Sequence, residues 1–275
     1  MAIIANTFRT GSAVGNREEL SDIVSRITPE DTPLYTMAGK ERAKSIHPEW
    51  EIDVLRAPAA NAQEEGDDYT FNAVTPPTRV GNYTQIFRES WIISRTQESV
   101  DEAGNVQKRK YQKLKKGIEV RKDVEFALVT NTASVAGNTR FFGSLPSWIT
   151  TNASRGGGGS DGGFSSGTGL AVAETTGTQR AFTKVIMDDV MQQGYNSGAN
   201  FNSLVCSPYV KSVFVTFMSD ANVAEFRYSA EKGMKNTIIS NADVYEGPFG
   251  KIMVKPNRVM AASAAVARRG FFIDT

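Results

Sequence analysis

The chain has 275 residues, 31 Lys and Arg against 30 Asp and Glu for a net charge of +1, and a single cysteine and a single histidine. That length supports one large domain or two ordinary ones without covalent staples. One thiol excludes an internal disulfide, Cys206 and His47 together cannot supply the ligands of a common zinc site, and near-neutral charge argues against a dedicated nucleic-acid binder while suiting a protein that lives beside nucleic acid without sticking to it.

The opening MAIIANTFRT lacks a basic segment followed by a long apolar one, and no run approaches the ~18 apolar residues of a membrane span, so a soluble, unexported chain is expected. Asn16 and Glu19 form a capping pair ahead of Leu20, Ile23, Val24 and Ile27, which predicts an amphipathic helix closed by Thr28-Pro29. Asp31 to Pro33 then opens a further turn. This leader reads as an arm, not a domain.

Trp50, Ile52 and Val54 alternate with Glu49, Glu51 and Asp53, predicting a strand with one acidic face, and a weaker strand pattern runs from Tyr83 to Ile93. Between them nearly thirty residues have almost no periodicity, and loops of that length are usually functional or disordered. Running out and back, each leg of about 12 residues reaches ~40 Å. Near its tip lie Glu64, Glu65, Asp67 and Asp68, with Tyr69 and Phe71 just beyond.

Residues 105 to 131 carry the longest helical pattern, with apolar positions at Tyr111, Leu114, Ile118, Val120, Val124 and Leu128. A helix of that length is a strut of roughly 40 Å. Its first half holds Lys108, Arg109, Lys110, Lys113, Lys115 and Lys116, either a solvated face or a dock for an acidic partner. The glycine-rich residues 155 to 169 predict a flexible loop. Beyond them the patterns give a helix ending at Gly194, a buried strand from Asn202 to Cys206, a helix starting at Pro208, and two strands around the turn GPFG. Strands interleaved with helices make this half α/β or α+β.

Chemical motifs are present only in form. Gly157, Gly159 and Gly162 match a dinucleotide fingerprint, but no apolar helix follows to aim at a pyrophosphate. Gly163, Ser165 and Gly167 match a nucleophile elbow, yet the only histidine precedes the serine, the reverse of the hydrolase order. Carboxylates at a solvated tip stay ionised and lack calcium-loop spacing, so the acid cluster points to recognition of a basic surface or to a tip with no role, not to catalysis or metal binding. No catalytic residue, cofactor or metal is expected.

The segments GNREELSDIVSRITPEDTPLYTMAGK, EWEIDVL, NAQEEGDD, TRVGNYTQIF, SRTQESVDEAG and RKDVEFALVTNTA, with PNRV much later, resemble the major capsid proteins of tailed double-stranded DNA bacteriophages with the HK-97-like fold. The resemblance spans nearly the whole chain and is most specific from Gly15 to Asn131. It implies an α+β chain with an N-terminal arm (1–48), an extended E-loop (49–93), a peripheral domain with a long spine helix and the glycine-rich loop (94–180), and an axial domain returning toward the peripheral one (181–275). Chains of that family usually continue past the point where this one stops, which implies that the end of the peripheral sheet is missing or built differently.

By the same resemblance the chain self-assembles through hexamers and pentamers into an icosahedral head shell, in the host cytoplasm, around DNA held by weak non-specific contact. Decorating, scaffold and portal proteins are further partners, and no membrane is involved. Arm and loop are then ordered by neighbours, with Tyr69 and Phe71 as apolar anchors and Glu64, Glu65, Asp67 and Asp68 setting register against a basic patch, Lys108 to Lys116 being the candidate. Some relatives join a loop lysine to a neighbour's asparagine; residues 53 to 80 contain no lysine, which predicts a non-covalent shell. The rival readings are another virion component, such as a tail or scaffold protein, and a soluble enzyme.

Overall fold

A computed structural model describes residues 26–69, 71–100, 108–217 and 243–274. The leader helix expected from Asn16 lies outside the described residues. Chain contacts divide the molecule into two units, one of Met1–Pro29 with Glu89–Glu119, the other of Glu30–Arg88 with Val120–Thr275.

In the smaller unit, α2 (Arg95–Ser99) starts at Ser94, whose hydroxyl accepts from the Gln97 amide, satisfying an amide that has no partner within the helix. The first half of the long helix α3 (Lys108–Val129) also belongs here. Its 22 residues make a rod of about 33 Å, and the expected start at Asn105 lies outside the described residues. One expected apolar position, Leu114, is exposed.

The larger unit is built on a four-stranded sheet. Its strands are β5 (Ser203–Cys206), β6 (Val244–Gly247), β7 (Gly250–Pro256) and β8 (Gly270–Ile273), in the order β6-β7-β5-β8. β5 runs parallel to β7 and antiparallel to β8, while β6 and β7 form the hairpin expected around GPFG. All four residues of β5 are buried because both faces of the strand are covered. Leu204 and Cys206 meet Met187 and Met191 of α5 (Lys184–Asn196) and Val210 and Phe214 of α6 (Pro208–Thr216). Val205, pointing the other way, packs with Val129 at the end of α3, Met260, Val266, Phe271, and Leu34 of α1 (Pro33–Met37). Thr183 and Ser207 cap α5 and α6, accepting from Ile186 and Val210.

One polar group is set among these apolar contacts. Glu125 of α3 is fully buried; its Oε1 accepts from the Leu34 amide at 2.9 Å and from Asn257 Nδ2 at 2.6 Å, and its Oε2 from the Tyr35 amide at 2.7 Å. These are first-turn amides of α1, which have no partner inside the helix, so Glu125 pins that turn to the strut. Burial pushes the Glu125 carboxyl above its ordinary range, and the three donors pull it back. With the folded value raised, the folded chain binds more protons than the unfolded one across the window just above ordinary carboxylate titration. Stability from this group is therefore present below that window and lost as pH rises through the folded value. Glu125→Gln, which turns an NH2 toward one of the donors, is expected to be less stable throughout and to lack that component of the slope, read as urea midpoints against pH.

Two sequence expectations are corrected. Residues 83–93 form no strand. The partner of β1 (Glu49–Ile52) is β2 (Thr78–Gly81), in antiparallel register from Glu49 opposite Gly81 to Ile52 opposite Thr78. Irregular pairing continues through Asn82 to Pro48 and Thr84 to Ile46, after which side chains take over: Tyr83 N–H donates to Ser134 Oγ, Asn82 exchanges hydrogen bonds with Gly143, and Arg140 donates to Thr84.

The glycine tract, expected to be a flexible loop, is laced on both sides. Ser160 and Thr175 exchange backbone hydrogen bonds at 3.1 Å, Thr178 N–H donates to Gly157 at 2.9 Å, and β3 (Gly163–Phe164) pairs with β4 (Ala171–Val172). A side chain at Gly156 or Gly177 would overlap the opposite backbone, so glycine here allows main chain to pack on main chain.

Candidate functional site

The β1–β2 hairpin is anchored at its root and bare beyond it. Trp50 stacks on Trp148 of α4 (Leu145–Trp148) with centroids 5.0 Å apart and planes 4° off parallel, and Trp148 meets Phe164 edge-on at 5.2 Å while its indole N–H donates to the Gly143 carbonyl. His47 stacks on Tyr83 at 4.3 Å, and Gly81 N–H donates to Gly169 of the glycine tract. These contacts fix the direction in which the hairpin leaves.

Past Ile52 support ends. Val54, Leu55, Tyr69, Phe71 and Val74 are each at least 86% exposed, and the hydrogen bonds of residues 53–69 and 71–77 are local ones, such as Val54 N–H to Asp53 and Gln63 to Asn61. At the tip Asp67 N–H donates to the Glu64 carbonyl at 3.3 Å and Gly66 has φ +89°, the third-position geometry of a type II turn that glycine adopts without strain. Glu64, Glu65, Asp67 and Asp68 are exposed and form no ion pair among the described residues. Five large apolar side chains held in water are expensive; burying each regains ~1.5–3 kcal/mol.

The basic half of α3 is only partly available. Lys108 donates to the Gln97 carbonyl, Arg109 Nε lies 2.5 Å from Glu98, and Lys116 lies 2.7 Å from Glu119 and 3.4 Å from Glu89. The Glu119 hydrogen bond, with help from Glu89, raises the Lys116 pKa. Lys110, Lys113 and Lys115 are exposed and form no ion pair among the described residues. Half of the expected patch therefore serves its own unit.

Sequence reading missed a cavity of about 550 Å³ between the glycine tract, α5 and the approach to β8. Phe182, Met187, Val210 and Phe272 give it an apolar floor, and Arg155, Arg180, Arg268 and Arg269 line it. In its wall Glu174, nearly buried, bridges two arginines: Oε1 accepts from Arg269 at 2.6 Å and Oε2 pairs with Arg155. Arg155 also reaches Asp161 at 2.6 Å, and Arg269 donates to the Val129 carbonyl at the end of α3. Burial, then the nearby Arg155, lowers the Arg269 pKa. Residues 155, 174 and 269 share no local motif that could have announced the triad. Glu125 left a faint trace, a carboxylate between Val124 and Leu128 on the apolar part of a helix.

Among the described residues no helix is long and apolar enough to cross a membrane, and no three His, Cys, Asp or Glu side chains are grouped to hold a metal ion. The arrangement offers surfaces for contact: a projecting acidic and aromatic tip, a lysine face, and a cationic cavity.

Comparison with known proteins gives these surfaces a context. Over 120 residues, 43% of this chain, the sequence is 30% identical to the major capsid protein of Escherichia phage Phieco32; the matched stretch covers 34% of that relative, about a third of its length. The model of the SU10 major capsid protein family matches residues 4–275. The chain therefore belongs to the SU10 major capsid protein family.

Proposed function

We propose that this chain is the repeating unit of a phage head: copies assemble through hexamers and pentamers into a closed icosahedral shell around double-stranded DNA, in the host cytoplasm, and persist in the virion. Family membership supports the shell role. The observation that carries the mechanism is the hairpin, anchored by stacked tryptophans at its root and exposed along residues 53–69 and 71–77. A neighbouring copy supplies the surface that orders it, so assembly and ordering of this segment are linked.

Within an HK-97-like fold the arm would be residues 1–48, the E-loop 49–93, the peripheral domain 94–180 and the axial domain 181–275, with α3 as spine. The tip acids and the lysine face of α3 are both inter-subunit contacts in this reading. Cohesion is non-covalent; DNA is touched weakly; decorating, scaffold and portal proteins complete the particle. No residue is assigned a catalytic or cofactor role.

Electron microscopy of the expressed chain tests the reading, with closed particles the expected result. A discrete monomer or dimer with a ligand-filled cleft would favour an enzyme, and rings, fibres or absence from mature particles a tail or scaffold protein. Replacing Glu64, Glu65, Asp67 and Asp68 by Lys should abolish particles at low salt; unchanged assembly would show that these charges make no contact. Exposed ion pairs contribute only ~0.2–1 kcal/mol each, so the acids set register while apolar contacts hold.

A further inference from the structure

The cationic cavity and the hairpin tip are complementary in charge and in apolar character. Arg155 and Arg269 share Glu174, but Arg180 makes a hydrogen bond only to Ser154 Oγ at 2.5 Å and Arg268 lies over the Tyr209 ring at 5.9 Å; neither forms an ion pair among the described residues. Four arginines against Glu174 and the Asp161 carboxylate that pairs with Arg155 still leave the site positively charged over an apolar floor. The tip presents the reverse: four acids that form no ion pair among the described residues, followed by Tyr69 and Phe71, which are 92% and 96% exposed. At about 550 Å³ the cavity falls in the ~300–1,000 Å³ range of sites that enclose a ligand, ample for an aromatic ring.

We infer that this cavity receives the hairpin tip of a second copy of the chain, an aromatic side chain of the tip entering the apolar floor while the acids meet Arg180 and Arg268. The inference rests on the shell reading and names the acceptor within it. The occupant is a second copy because the chain's own tip stands exposed in the structure. The lysine face of α3 is the alternative acceptor: Lys110, Lys113 and Lys115 flank the exposed Leu114 and offer charge around one apolar side chain. Desolvated aromatic anchors, not rim charges, dominate interface affinity.

Cross-linking distinguishes the two acceptors. Cys206, the only native thiol, is fully buried and does not compete for a maleimide. Asn72→Cys chains, with the thiol on an exposed tip position next to the aromatics, are co-assembled with Gln179→Cys chains, whose cysteine lies on the cavity lining, or with Lys113→Cys chains, and treated with a short bis-maleimide; Asn72→Cys alone is the control. Covalent dimers with Gln179→Cys and none with Lys113→Cys are expected. In parallel, Arg180→Glu with Arg268→Glu should reduce closed particles at least tenfold, and adding Glu64→Lys and Glu65→Lys to that chain should restore them. Dimers with Lys113→Cys and none with Gln179→Cys, or full particle yield from the Arg180→Glu/Arg268→Glu chain, overturn the inference while leaving the shell reading intact. Absence of particles from the unaltered chain overturns both.

Discussion

Glu174→Ala is expected to lower the unfolding free energy by roughly 3–5 kcal/mol, the cost of removing one partner from a buried ion pair. The carboxylate bridges Arg155 and Arg269, each less than a fifth exposed, and its loss leaves two guanidinium groups facing one another with little water to screen them. Arg155 retains Asp161, and Arg269 retains the Val129 carbonyl, where a cation also complements the helix dipole. Those bonds do not remove the repulsion. Glu174→Ala combined with Arg155→Ala should therefore be less destabilising than the sum of the two single changes, a coupling that a double-mutant cycle in urea reads directly. A loss below about 1 kcal/mol for Glu174→Ala would mean that the arginines rotate out to solvent, on the scale of an exposed pair.

The triad also explains how distant parts of the larger unit are held in register. Through Glu174 it joins the glycine tract by Arg155, the end of α3 by the Val129 carbonyl, and the approach to β8 by Arg269. Asn131 adds a reciprocal pair to the backbone of Glu174, its amide donating to the carbonyl at 2.8 Å and its oxygen accepting from the N–H at 3.0 Å. The cavity wall is thus a rigid edge, and Arg180 and Arg268 beside it remain free of carboxylates among the described residues.

Local patterns reached some of this and could not reach the rest. The alternation of Trp50 and Ile52, the proline-free run ending near Val129, the Ser207-Pro208 start and the GPFG turn each lie within one element, and each element formed. β2 escaped because four residues, Thr78–Gly81, are too few to show a period, and their pairing is decided by β1 across the whole excursion. Glycine content announced conformational freedom, but its use here is close packing of one backbone on another, which depends on what lies opposite. The tip residues were legible as a cluster, since acids and aromatics adjoin in sequence. The basic patch was legible only as charge; that Glu98, Glu119 and Glu89 occupy Arg109 and Lys116 is a fact of tertiary structure. Nothing local linked residues 155 and 180 to each other or to the adjacent pair 268 and 269.

Tyr69→Ser with Phe71→Ser should abolish closed particles while leaving the urea midpoint of the unassembled chain unchanged within error. Both side chains are more than nine-tenths exposed, so the isolated fold loses no buried contact when they are cut back. In an assembly, each aromatic that becomes buried contributes about 1.5–3 kcal/mol, and a closed shell repeats that contribution at every subunit. A combined loss of roughly 3–6 kcal/mol per contact weakens association by two to four powers of ten, which raises the concentration needed for assembly by a similar factor. Turbidity and electron microscopy across a concentration series read that threshold. The opposite pattern, a lower urea midpoint with assembly intact, would place the two aromatics inside the subunit's own fold and remove the hairpin from the interface.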